Sequence, residues 1–101
     1  MTWQLVCAAE DVSSSLPYAF SCDGKSIAIF KVDDDYYAMH NVCPHAYALL
    51  TDGFTEGDTV ECALHGAVFH IPTGRCVAPP ADTDLDVHPV KLEDNQIYVD
   101  L

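Results

Sequence analysis

The chain has 101 residues, half of them hydrophobic, and sixteen acidic residues against four lysines and arginines give a formal net charge of -12. This composition predicts one folded domain, residues 1–101, and argues against a disordered chain. The negative charge disfavours binding to nucleic acid or anionic membranes. It either favours encounter with a basic protein partner or only keeps a small protein soluble. Because no apolar run has the length of a membrane span and the first residues lack a basic signal sequence, we expect a soluble, cytoplasmic monomer.

The first forty residues alternate between short apolar segments and polar turns, which is typical of strands. The Asp23-Gly24 pair is a strong β-hairpin turn signal, and the acidic triplet Asp33–Asp35 predicts the next turn. The strands predicted in this part are Trp3–Cys7, Tyr18–Ser21, Ser26–Val32 and Tyr36–His40.

The rest of the chain continues the same pattern, with turn signals at Asp52-Gly53, at Glu56-Gly57-Asp58 and at Pro72-Thr73-Gly74. No segment has a convincing helical period, so an all-β antiparallel sandwich or barrel is predicted. The strands predicted here are Thr59–Cys62, Ala67–Ile71, Arg75–Val77, Leu85–Leu92 and Gln96–Asp100.

Two short cysteine and histidine pairs stand out in the middle of the chain. The first is Cys43-Pro44-His45 and the second is Cys62-Ala63-Leu64-His65, with sixteen residues between them. If folding joins the two loops, two thiolates and two imidazoles form a four-ligand set. That set suits either a tetrahedral zinc ion or a [2Fe–2S] cluster in which two histidines replace two cysteines on one iron.

The other cysteines, Cys7, Cys22 and Cys76, lack a histidine companion and have apolar neighbours, so they are predicted to be small buried residues. The other histidines, His40, His70 and His88, fall on predicted strands and have no cysteine at ligand spacing. We expect these to be packing or surface residues.

The ligand segments and their flanks resemble the C-x-H … C-x-x-H pattern of Rieske iron–sulfur proteins. The likeness extends over essentially the whole chain and is strongest to the small Rieske ferredoxins of bacterial aromatic-ring-hydroxylating dioxygenases, such as the biphenyl-type systems. It includes a group of flanking residues: Asp52-Gly53, Gly57-Asp58, Val60-Glu61, Gly66, Phe69, Thr73-Gly74 and Pro79-Pro80.

The resemblance implies a Rieske (ISP-domain) fold, with a cluster-binding subdomain of two loops at approximately residues 42–80. It also implies one Rieske-type [2Fe–2S] cluster, with Cys43 and Cys62 on one iron and His45 and His65 on the other. In the family, the proline segment corresponding to Pro79-Pro80 covers the cluster.

By the same resemblance, the chain is expected to be a non-catalytic electron carrier in aromatic hydrocarbon catabolism. It would take single electrons from a flavin-dependent ferredoxin reductase and pass them to a terminal Rieske oxygenase. The chain has no glycine-rich dinucleotide fingerprint, and it is too short to include an oxygenase iron domain.

Two other functions stay open at this point. A Rieske-like small subunit of an assimilatory reductase, such as nitrite reductase, would share the fold, although such relatives often lose cluster ligands that this chain retains. A structural zinc module in an interaction protein would use the same four side chains.

The flanking residues also predict a reduction potential at the low end of the Rieske range, which is roughly -150 to +300 mV. High-potential relatives have a disulfide between the loops and hydroxyl groups near the cluster sulfurs. This chain has Ala48 and Leu64 at the disulfide positions and Ala67 and Phe69 at the hydroxyl positions. Neither of the latter can donate a side-chain hydrogen bond to sulfur.

Overall fold

The computed structural model describes residues 2–43, 48–63, 66–78 and 84–101. Within these residues the chain forms eleven strands, together with short 3₁₀ helices at Ala9–Asp11 and Leu50–Asp52. None of the helices in this part of the chain is long and apolar enough to cross a membrane. The strands are β1 Trp3–Ala8, β2 Tyr18–Cys22, β3 Lys25–Val32, β4 Asp35–His40, β5 Phe54–Glu56, β6 Thr59–Glu61, β7 Val68–His70, β8 Cys76–Ala78, β9 Val87–His88, β10 Val90–Glu93 and β11 Gln96–Asp100.

The strands pair in three antiparallel sheets, which confirms the predicted all-β class. The terminal sheet has the order β1-β11-β10, the central sheet β2-β3-β4-β9, and the third sheet β5-β6-β7-β8. The Asp23-Gly24 turn predicted for the β2–β3 hairpin has positive φ angles of 51° and 79°, as a tight two-residue hairpin turn requires.

Strand β3 is buried on both faces and separates two hydrophobic cores. Ile27 and Ile29 pack into the core shared with β1 and β11, which also contains Ile97. Ala28 and Phe30, on the opposite face, pack into the core shared with β6 and β7. The uninterrupted apolar run of β3 is explained by this position, because alternate residues enter different cores.

Two details differ from the sequence-based expectation. The segment Leu85–Leu92, predicted as one strand, is divided at Pro89, so β9 pairs with β4 while β10 pairs with β11. Proline has no backbone N–H to continue a ladder, which explains the division. Strand β5, Phe54–Glu56, was not predicted because it has only three residues between two turn signals.

Candidate metal centre

Each of the two predicted cysteine ligands begins a loop that is closed by the same backbone hydrogen bond. The Cys43 N–H donates to the Ala48 carbonyl at 2.9 Å, and the Cys62 N–H donates to the Ala67 carbonyl at 2.7 Å. In both cases the acceptor lies five residues after the cysteine. The two loops therefore have the same length and the same closure.

The residue pairs below the two loops also correspond. Val42 forms an isolated bridge with Leu49, and Glu61 pairs with Val68 at the equivalent place in the β6–β7 ladder. We call these the first hairpin, residues 41–50, and the second hairpin, residues 60–69. The chain thus presents its two cysteines at equivalent positions of two similar hairpins.

Both cysteine side chains are buried, with exposed fractions of 2% for Cys43 and 0% for Cys62, and both belong to the core that contains Phe30 and Phe69. A buried thiolate needs a compensating cation, which a metal site supplies. Two buried sulfur ligands in matching loops therefore fit the sulfur-bound iron of the predicted cluster.

The predicted nitrogen ligands, His45 and His65, lie outside the described residues, as do Leu64 and the Pro79-Pro80 segment. In sequence, each histidine falls between the two residues whose backbone atoms close its loop. Among the described residues, no group of three or more histidine, cysteine, aspartate or glutamate side chains is arranged to hold a metal ion. The assignment of all four ligands accordingly stays a prediction.

The base of the first hairpin is fixed by the buried side chain of Asn41, which is 1% exposed. Its Oδ1 accepts a hydrogen bond from the Thr51 N–H at 3.0 Å, and its Nδ2 donates to Thr51 Oγ1 at 3.1 Å. Its backbone carbonyl accepts from the Leu50 N–H at 2.7 Å. The sequence reasoning missed this residue, although an asparagine between an apolar strand and a ligand loop was a signal worth testing.

The second hairpin is held by the sheet itself. Val60, the counterpart of Asn41, is buried and pairs with Phe69 in the ladder. Gly66 has a φ of 77°, a conformation that favours glycine, and its N–H donates to the Cys62 carbonyl at 3.0 Å. A Cβ atom added at Gly66 would lie 3.9 Å from Glu61 Oε2. The Glu61 carboxylate thus lies beside the loop.

No hydroxyl group stands at the two described positions where high-potential relatives have one. Ala67 and Phe69 are both fully buried in the second hairpin. A serine or tyrosine hydroxyl there would have to bond within the protein, whereas the native side chains cannot do so. The geometry is consistent with the predicted low potential, which stays a prediction.

The remaining cysteines differ among themselves. Cys7 is buried as expected, and burial, followed by the charge of Asp11, raises the pKa of its thiol to about 11. A thiol that remains protonated is a poor metal ligand or nucleophile. Cys22 and Cys76, which were also expected to be buried, are only partly so.

The three described histidines lie on strands as predicted, in β4, β7 and β9. His40 is exposed, whereas His88 is half-buried. His70 has two contacts: its Nδ1 lies 2.8 Å from Thr73 Oγ1, and its Nε2 lies 2.9 Å from Asp58 Oδ2. The His70 ring therefore joins the turn between β5 and β6 to the turn between β7 and β8.

Comparison with known proteins identifies the family to which the chain is related. Residues 2–89 match the model of the Rieske [2Fe-2S] domain family. The biphenyl dioxygenase ferredoxin subunit of Pseudomonas sp. (strain KKS102) is 34% identical over 99% of this chain and 93% of its own length.

Solved structures give the same result. The Sphingomonas yanoikuyae B1 ferredoxin superposes with a TM-score of 0.94 at 31% identity, covering 99% of both chains. A chain from the complex of reduced oxygenase and oxidized ferredoxin in carbazole 1,9a-dioxygenase gives a TM-score of 0.90 at 33% identity, covering 96% of this chain and 91% of that one.

Proposed function

This chain belongs to the Rieske [2Fe-2S] domain family, and on that premise we propose that Cys43, His45, Cys62 and His65 hold its [2Fe–2S] cluster. It is an electron carrier of the ferredoxin type and not an oxygenase. The observation that supports the ligand assignment most directly is the identical closure of the two cysteine hairpins. Cysteines at equivalent positions can bind one metal from two sides.

When bound, a Rieske cluster accepts and releases one electron at a time, at a potential that its ligands and surroundings determine. The two buried cysteines supply the negative charge of the sulfur ligands. The two histidines are neutral ligands, so they reduce the total anionic charge relative to four cysteines and raise the potential. The hydrogen bonds that close the loops hold both sulfurs in place without a disulfide.

The ligand assignment is tested by replacing His45 or His65 with alanine, and Cys43 or Cys62 with serine. We expect each variant to lose the stable two-iron cluster. The measurements are the iron and zinc content and the electron paramagnetic resonance of the reduced protein. The wild type should give a mixed-valence two-iron signal with the low average g value of histidine ligation. A wild-type protein with one zinc and no iron would instead support a structural zinc module.

We propose further that the electrons come from a flavin-dependent ferredoxin reductase and go to a terminal Rieske oxygenase. The similarity to the ferredoxin of a carbazole dioxygenase complex supports the second partner. We propose that the protein acts as a monomer in the cytoplasm. Reconstitution with purified reductase and oxygenase should make oxygenase turnover depend on this protein. Equal turnover without it would contradict the proposal.

A further inference from the structure

The outer face of the third sheet is open and combines an exposed aromatic ring with carboxylates. Phe54 pairs with Glu61, and Glu56 pairs with Thr59, so these side chains share one face of the β5–β6 ladder. The opposite face carries Val60, which is fully buried. Phe54 itself is 64% exposed. We call Phe54, Glu56 and Glu61 the acidic shoulder.

The acidic shoulder lies directly beside the second ligand loop. Glu61 is the residue before Cys62, and its carboxylate lies next to Gly66 of the same loop. Gly53 allows the close approach that places Phe54 opposite Glu61, because a Cβ atom at position 53 would overlap the Glu61 carbonyl oxygen. Since neighbouring strands are about 5 Å apart, the Phe54 backbone lies within one strand spacing of the loop's entry.

The chain's own cations cover several other aromatic rings but not this one. Lys91 Nζ lies 4.9 Å from the centroid of the Trp3 ring and 5.3 Å from that of Tyr98, and Lys31 Nζ lies 5.6 Å from the Tyr36 ring. In the described part of the chain, no lysine or arginine lies over Phe54. Its face is available to a cation from another molecule.

The corresponding place on the first hairpin has a different chemistry. Val42 and Leu49 flank that loop, and together with Ser26 and Ala48 they line a pocket of about 320 Å³. None of these four side chains is charged. The Glu61 carboxylate lies next to the second loop, whereas these four residues at the first loop carry no charge, and this difference distinguishes the two sides of the centre for an approaching protein.

We propose that the acidic shoulder is a docking surface for basic side chains of the electron-accepting partner, the terminal oxygenase of the proposed function. This inference rests on the proposed function. An arginine or lysine of the partner stacks on the Phe54 ring, and neighbouring basic groups pair with Glu56 and Glu61. Transient redox complexes have small interfaces, so one aromatic anchor and two charges carry a large share of the recognition.

The experiment uses the reduced, cluster-containing protein and mitochondrial cytochrome c, a lysine-rich haem protein, as the basic electron acceptor. The second-order rate of cytochrome c reduction is measured from low to high salt. The double variant Glu56→Gln/Glu61→Gln should react about fivefold more slowly at low salt, the effect of losing two exposed ion pairs, and should depend less on salt.

The matched control is Asp33→Asn/Asp34→Asn, which also changes the formal net charge from -12 to -10. These residues lie in the β3–β4 turn, at the end of β4 away from Cys43. We expect the control to keep the wild-type rate within a factor of two. Equal slowing in both double variants would show that only total charge matters and would overturn the docking surface.

Phe54→Ala tests the aromatic contact at constant charge and should slow the reaction about tenfold. Leu92→Ala, at an exposed residue of the terminal sheet, is the control and should have the wild-type rate. A wild-type rate for Phe54→Ala would also overturn the proposal. Resonance spectra and midpoint potentials of every variant confirm an intact cluster and equal driving force. Absence of a cluster signal in the wild type would instead refute the proposed function.

Discussion

The two ligand hairpins have the same length and closure but are stabilised in different ways. The second hairpin extends a regular ladder, in which Val60 pairs with Phe69 and Glu61 with Val68. The first has one isolated bridge and relies on the side chain of Asn41 below it. The comparison shows that equal backbone geometry can be reached through main-chain pairing or through one buried amide.

The largest effect on stability is expected from Asn41→Val, which gives the first hairpin the residue that the second hairpin has at the equivalent position. This change removes two hydrogen bonds and leaves Thr51 with unpaired groups, at a cost of about 2–4 kcal/mol in the free energy of unfolding. Urea unfolding followed by fluorescence measures the loss. Cluster retention, followed by visible absorbance, should fall in parallel because the Cys43 loop loses its support.

Thr51→Val provides the matched partner for a double-mutant cycle with Asn41→Val. The two variants should be non-additive by the hydrogen bond between Asn41 Nδ2 and Thr51 Oγ1, which both remove, whereas the bond from the residue 51 N–H is lost only with Asn41. Additive losses would show that the bond to Thr51 Oγ1 contributes nothing measurable and that the support of the hairpin comes from the bond made by the residue 51 N–H.

A smaller effect is expected when a hydroxyl is placed at equivalent positions, Ala67→Ser and Ala48→Ser. At the fully buried position 67 the hydroxyl must bond inside the protein, whereas the partly exposed position 48 allows it to bond water. A hydrogen bond worth about 1 kcal/mol more in the reduced state raises a one-electron potential by about 40 mV. Protein-film voltammetry should show this increase for Ala67→Ser and little change for Ala48→Ser. Equal shifts of the potential in both variants would contradict the expected difference between the two hairpins.

The smallest effect concerns pH. Burial first, then the charge of Lys25, lowers the pKa of His88 below its ordinary value of 6.5. Asp86 and Asp100 oppose the shift, and His40 adds to it. The unfolded chain therefore binds a proton more readily than the folded one, so this contribution to stability is complete above pH 6.5 and decreases as the pH falls below it.

His88 lies on β9, which pairs with β4, the strand that leads into the first hairpin. Acidification should therefore lower the amide protection factors, which correct the exchange rates for their intrinsic dependence on pH, more in the first hairpin than in the second. His88→Gln, which does not titrate, should flatten the pH dependence. An identical slope in the variant would assign the effect to other groups.

Much of the fold could be predicted because the strands are short, alternate clearly and end at recognisable turns such as Asp23-Gly24. Strand β5 was missed because three residues between turn signals are too few to show an alternating pattern. They form a strand only by pairing with a neighbouring strand. The division at Pro89 was also missed, although a proline within a predicted strand was a sequence signal for it.

The candidate site was predictable in its residue types and less so in its architecture. The spacing of the cysteine and histidine pairs indicated a metal centre with either zinc or a [2Fe–2S] cluster, and the family resemblance implied the cluster, with which the family match agrees. The equal closure of the loops could not be read from the sequence, and the position of Asn41 between an apolar strand and a ligand loop was a signal that did not define its role. Both depend on which backbone groups meet across a hairpin, and spacing alone does not determine that.

Strand β3 has a consequence for how this protein can change over time. Its odd-numbered residues Ile27 and Ile29 belong to one core, and its even-numbered residues Ala28 and Phe30 belong to the other. A substitution at an even-numbered residue therefore acts on the packing behind the ligand hairpins. A substitution at an odd-numbered residue acts on the packing against the terminal sheet. Selection can thus adjust the surroundings of the redox centre while the rest of the scaffold keeps its own packing, although both share a single strand.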